Sequence, residues 1–195
     1  MVRWFENFAD RHGVPVLHVE AGALHGSAPD GASVVARLPF DEAYAGPADP
    51  LALAAAVTMP TRWGVLLVRK GGFAVAAVEH GVVEAGAKVG QRHVQGRTKA
   101  GGQSQQRFAR RRDNQARLAY EAAADHAARV LAGPLDALVC GGDRQAVDEV
   151  LADPRLRVLR PVRVGPWLAV PDPRRAVLDQ AVLDAQAVQV VVTDP

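Results

Sequence analysis

The chain has 195 residues, of which 49% are hydrophobic and 5% aromatic, with a net charge of +2 and a single cysteine. That length suits one compact domain that buries roughly 70% of the surface its unfolded chain exposes, and the hydrophobic share excludes a disordered polymer. The lone Cys140 excludes an internal disulfide framework and a cysteine-rich zinc site. No apolar run approaches the length of a membrane span, and acids stand near the N-terminus where a secretion signal would be apolar, so a cytoplasmic protein with no membrane partner is expected.

In chain order, RWFENFADRHG predicts a short amphipathic helix ending at Gly13, and VPVLHVE and SVVARLPF each predict a strand. Three extended runs follow, Trp63 to Arg69, Phe73 to Glu79 and Val82 to Val89, broken by Gly71-Gly72 and His80-Gly81, which is the pattern of an antiparallel meander. Apolar residues from Phe108 through Ala116, Ala119, Tyr120, Ala123, Ala127, Val130 and Leu131 keep helical spacing until Gly133-Pro134. A long helix is therefore predicted from about Ser104 to Ala132. Beyond it, LDALVCGG reads as a buried strand, DRQAVDEVLA as a short helix begun by Asp143, LRVLRPVRVG as a strand region and DPRRAVLDQAVLDAQAV as an amphipathic helix. The pattern is α+β, with strands and helices around one mixed, largely antiparallel sheet. Residues 1–195 read as a single domain, with 1–60 as an N-terminal extension packed on it.

Charge is concentrated where the meander gives way to the long helix. Between Gln91 and Arg117 stand Arg92, Arg97, Lys99, Arg107, Arg110, Arg111, Arg112 and Arg117 against the single Asp113, a local balance of +7 that leaves −5 on the rest of the chain. A basic segment on a mildly acidic body is the footprint of a protein that meets a polyanion with one face. At about 100° per residue, Arg107, Arg110, Arg111 and Arg117 fall in an arc of about 120° facing away from the Phe108 stripe. Just before them, Gly101 and Gly102 permit backbone angles and close approaches closed to other residues. Gln103 adds a side-chain amide and a backbone N–H at the tip. With few apolar anchors between about Gly96 and Gln103, this loop is expected to be mobile in the isolated protein.

GGQSQQRFARRR, Gly101 to Arg112, resembles the catalytic loop of the class-one peptide release factors of eukaryotes and archaea, whose pattern is Gly-Gly-Gln-Ser, two variable residues, then Arg-Phe-x-Arg-x-Arg. The triplet alone is a weak signal; Ser104, Arg107, Phe108, Arg110 and Arg112 make the match specific. The likeness extends from about Thr61 to Gly165 and is closest to the Vms-like release factors, which act as peptidyl-tRNA hydrolases on stalled large ribosomal subunits. It implies the release-factor catalytic fold, of RNase H-like type. It also implies that Gly101, Gly102 and Gln103 enter the peptidyl transferase centre and direct water onto the peptidyl-tRNA ester. Arg97, Lys99, Ser104, Arg107, Arg110, Arg111 and Arg112 would hold ribosomal RNA or the acceptor stem. No cofactor, metal or DNA partner is implied. Ala100 departs from the arginine that often precedes the paired glycines. At this length stop-codon reading is not expected, and no zinc-finger or ankyrin region links the chain to an unfolding ATPase.

Other sites are poorer readings. His12, His18, His25, His80, His93 and His126 contain no His-Glu-x-x-His pair and no metal spacing, so they read as scattered surface or satisfied histidines and no metal is expected. Ser104 lies in no Gly-x-Ser-x-Gly elbow and is read as a helix cap. CGGD, Cys140 to Asp143, lacks the further glycines or lysine of a nucleotide loop and reads as a strand-to-helix turn. Glu79 and Glu84 flank a hairpin and read as solvent-facing residues rather than nuclease ligands. A docking factor that keeps the arginine face without hydrolysis is the alternative function, but docking alone does not require the Gly-Gly-Gln tip.

Overall fold

The computed structural model describes residues 1–70, 72–91 and 103–195; for Gln91 and residues 103–116 the description covers the backbone alone. The chain forms two compact units, Met1–Met59 with Ala185–Pro195, and Pro60–Asp184.

In the first unit, helix α1 (Val2–His12) buries Phe5 and Phe8, three residues apart and so on one face. Gly13 ends it with φ +87°, and its N–H donates to the Ala9 carbonyl at 2.8 Å. Strands β1 (Val16–Glu20) and β2 (Ala23–Ser27) form a hairpin with Glu20 opposite Ala23. The two turn residues, Ala21 and Gly22, both have positive φ, the backbone a two-residue turn needs to match the twist of its strands. β3 (Ser33–Arg37) extends this sheet, turning Val34 and Ala36 inward. Helix α2 (Pro50–Ala55) starts where the Asp49 carboxylate accepts from the Ala52 N–H at 2.7 Å, with Pro50 in the first turn where its missing N–H costs nothing. The C-terminal strand β10 (Gln189–Thr193) returns to pair antiparallel with β3, giving the order β1-β2-β3-β10. Phe5, Phe8, Leu24, Val34, Leu38 and Leu53 are the centre of its core.

The second unit is built on β4 (Arg62–Arg69) and β5 (Gly72–Glu79), an antiparallel pair buried along nearly its whole length. Short strands β6 (Val82–Val83) and β7 (Lys88–Gln91) both pair with β5. On the other side of β4 lie β8 (Ala137–Gly142) and β9 (Arg163–Leu168), both parallel. The long helix α3 (Gln103–Val130) and α4 (Arg144–Leu151) supply Ala123, Ala127, Val147 and Val150 to a core shared with Leu66, Phe73, Val75 and Leu138. Helix α5 (Arg175–Ala185) buries Leu178 and Ala181.

The α+β class stands, and the meander, α1, α3, β8, α4 and α5 fall where the sequence places them. The expectation of one sheet does not hold: the described residues form two. The expected strand Val82 to Val89 is broken at Glu84–Ala87, where the Ala87 N–H donates back to the Glu84 carbonyl at 3.2 Å and turns the chain. The first half of LRVLRPVRVG is a 3-10 segment, Pro154–Leu159, that buries Leu156 and Leu159 at a spacing of three. SVVARLPF ends as a strand at Arg37 because Pro39 cannot donate to a ladder and begins a 3-10 turn.

Candidate functional site

Two elements frame the basic segment. β7 ends at Gln91, which pairs with Gly72 of β5, and α3 begins at Gln103. Arg97, Lys99, Gly101 and Gly102 lie outside the described residues, as does the expected mobility of the loop from Gly96. Gln103, Ser104, Arg107, Arg110, Arg111 and Arg112 belong to one continuous helix of 28 residues, about 42 Å long. Their side chains, and so the expected arginine arc, lie outside the description. Because the helix starts at Gln103, Ser104 is its second residue and sits inside the first turn rather than at the capping position expected for it. The first four backbone N–H groups of a helix have no intrahelical acceptor, so Gln103 opens α3 at its electropositive end.

What holds α3 beside β7 is the ring of Phe73. A Cβ on Gly90 would collide with this ring, so Phe73 rests directly on the β7 backbone, an approach only glycine allows. The same ring stacks on His126 of α3, with centroids 5.3 Å apart and planes at 27°. His126 accepts at Nδ1 from an Arg129 N–H at 2.9 Å. Burial, together with Arg129 and Lys88 nearby, lowers its pKa, which keeps the ring neutral and able to accept. Phe73 thus clasps the strand that leads into the basic segment to the helix that leads out of it. Among the described side chains, Ala119 is the first buried residue of α3.

The turn at Cys140–Asp143 is a strand-to-helix connection, as read from the sequence. Asp143 caps α4 by accepting from the Ala146 N–H at 3.3 Å, and its own N–H donates to the Val68 carbonyl at 2.8 Å. Gly142 has φ +92° and its Cα packs on that carbonyl, with no room for a side chain. Burial pushes the Cys140 thiol up to about 12, which removes it as a nucleophile. Glu79 is exposed, whereas Glu84 is not free: Arg62 donates to it through Nε at 2.7 Å and Nη2 at 3.4 Å, and through Nη1 to the Pro134 carbonyl. That pairing raises the Arg62 pKa and leaves Glu84 structural. One cationic cluster escaped sequence reasoning. The Arg144 guanidinium lies 4.4 Å from the Trp167 ring centroid and Arg163 lies 5.2 Å from it, joined by β8, α4 and β9 folding rather than by spacing along the chain.

The basic segment, its two framing elements and the sheet beneath fall within one family match. The family model for the Actinobacteria/chloroflexi VLRF1 release factor (acVLRF1) matches residues 61–191, more than half of the chain. The class defined is therefore that of the release factors. The chain belongs to the VLRF1 release factor family of actinobacteria and chloroflexi. Among solved structures, it is similar to an archaeal translation termination factor, aRF1, at 14% identity and a TM-score of 0.49, covering 83% of this chain and 49% of that one. A second, described as an archaeal protein, shows 14% identity and a TM-score of 0.36 over 83% of this chain and 51% of its own. The chain spans about half the length of each. No curated protein matches it in sequence. Among the described residues, no helix is long and apolar enough to cross a membrane.

Proposed function

We propose that the protein is a codon-independent peptidyl-tRNA hydrolase of stalled ribosomes or large subunits, acting in the cytoplasm with no cofactor or metal at its catalytic tip. The observation that carries this reading is the position of Gly101-Gly102-Gln103, inside the family match and immediately before and at the first residue of α3. Hydrolysis of the ester needs a water held against the carbonyl carbon and a donor where the oxyanion develops. One preorganised donor of that kind contributes roughly 3 kcal/mol to the transition state. The backbone N–H of Gln103, without an acceptor inside its own helix, is suited to that role, and its side-chain amide orients the water. Gly101 and Gly102 let this tip approach the ester. Arg97, Lys99, Ser104, Arg107, Arg110, Arg111 and Arg112 hold phosphates of ribosomal RNA and of the peptidyl-tRNA near the peptidyl transferase centre. In this reading residues 1–195 act as one catalytic protein, with 1–60 as its N-terminal extension.

The test is incubation of the purified protein with ribosome-bound and with free peptidyl-tRNA, following release of peptide from tRNA. Binding to the large subunit with no release would replace this reading by that of a docking factor.

A further inference from the structure

Strand pairing brings together three donor side chains whose order along the chain shows no ligand pattern. His18 of β1 stands directly opposite His25 of β2, and Glu20, two residues along β1, shares the face of His18. That face is the outer one, since His18 and Glu20 are exposed while Leu17 and Val19, which alternate with them, are partly buried. The imidazoles stack with centroids 5.3 Å apart and planes at 26°, and His18 Nε2 lies 3.6 Å from Glu20 Oε2. One donor atom from each of the three residues lies within 4.8 Å of the other two. His25 Nε2 is shielded from solvent and has no hydrogen-bond partner among the described residues. A shielded polar atom of this kind calls for something to satisfy it.

We propose that His18, Glu20 and His25 bind a divalent transition metal of the borderline class that zinc represents. Two imidazoles and one carboxylate are a zinc donor set, whereas calcium and magnesium select oxygen. Zinc with bonds of about 2.0–2.1 Å holds its tetrahedral ligand atoms about 3.4 Å apart. The three donors must therefore close by about an ångström. The side chains of His18 and Glu20 are 51% and 70% exposed and free to rotate by that amount. The carboxylate offsets one of the two charges, and water completes the coordination. β1 is an edge strand of its sheet, with β2 as its one neighbour, so the metal staples it to that neighbour. This site lies in the first unit and is independent of the release-factor reading.

The experiment titrates the tag-free full chain with Zn²⁺ against a chromophoric indicator, and follows its thermal midpoint with and without the metal. One equivalent is expected, with His18→Gln and His25→Gln each weakening affinity at least tenfold and Glu20→Gln weakening it less. His12→Gln, which removes the separate 2.8 Å pair with Asp30, leaves the affinity unchanged. Zinc raises the midpoint of the native chain and not that of His18→Gln. Absence of binding by the native chain overturns the assignment. Native affinity in His18→Gln, whose half-exposed side chain is dispensable for folding, overturns it equally.

Discussion

Gly102 and Gln103 divide the work of the proposed tip differently, and their alanine variants separate it. A methyl group at 102 disfavours a left-handed backbone by roughly 1–2 kcal/mol and obstructs close approach to the ester. We expect Gly102→Ala to slow single-turnover release at least as much as Gln103→Ala. Ribosome binding persists in both, because the contribution is made in the transition state. A greater loss in Gln103→Ala would transfer the main role to the side-chain amide. At the clasp, Gly90→Ala drives a Cβ into the Phe73 ring and should destabilise the protein by about 1–3 kcal/mol in denaturant unfolding. In a Phe73→Ala background most of that cost disappears, and equal costs in the two backgrounds would show that ring and backbone do not couple. The Gly-Gly-Gln motif on which the proposed tip rests is readable because its signal is local. Gly90 is not, because its need for glycine comes from strand register and from a ring seventeen residues away in the chain.

At the scale of elements, α3 matters most. Its stripe from Ala119 to Leu131 was legible because alanines at helical spacing can only pack closely on a sheet, and Ala119, Ala123, Ala127 and Leu131 are indeed buried. Replacing Arg107, Arg110 and Arg111 together by alanine should reduce the slope of log affinity for ribosomes against log salt by about two, because three phosphates are then left to their counterions. An unchanged slope would assign those arginines to internal ion pairs. His126 makes α3 sensitive to acid. Its folded pKa lies below the unfolded value of about 6.5, so the unfolded chain takes up the proton first and stability falls as pH drops through that value. The loss of urea midpoint between pH 7.5 and pH 5.5 should therefore be smaller in His126→Gln than in the native chain. An identical loss would mean that His126 does not contribute. β2 escaped sequence reading because ALHGS has no β-branched run and ends in Gly26 and Ser27, and α2 because six residues give too little helical period, although Asp49-Pro50 carries a cap signal that could have marked it.

The whole molecule consists of two units, and the sequence exposed the second far better than the first. Residues 60–184 contain the runs and periodicities that pattern reading detects, together with the motif. The first unit depends on β10, which joins β3 only after more than 150 residues of intervening chain, and a pairing across that distance leaves no local trace. The family match likewise covers 61–191, so the catalytic claim concerns the second unit above all. That claim is tested most directly by single-turnover release of nascent peptide from large subunits carrying peptidyl-tRNA, at saturating protein. Rapid release without any stop codon is predicted, abolished or strongly slowed by Gly102→Ala in a protein that still binds the subunit. Tight binding with no release by the native chain, or full release by the Gly102→Ala variant, would contradict it.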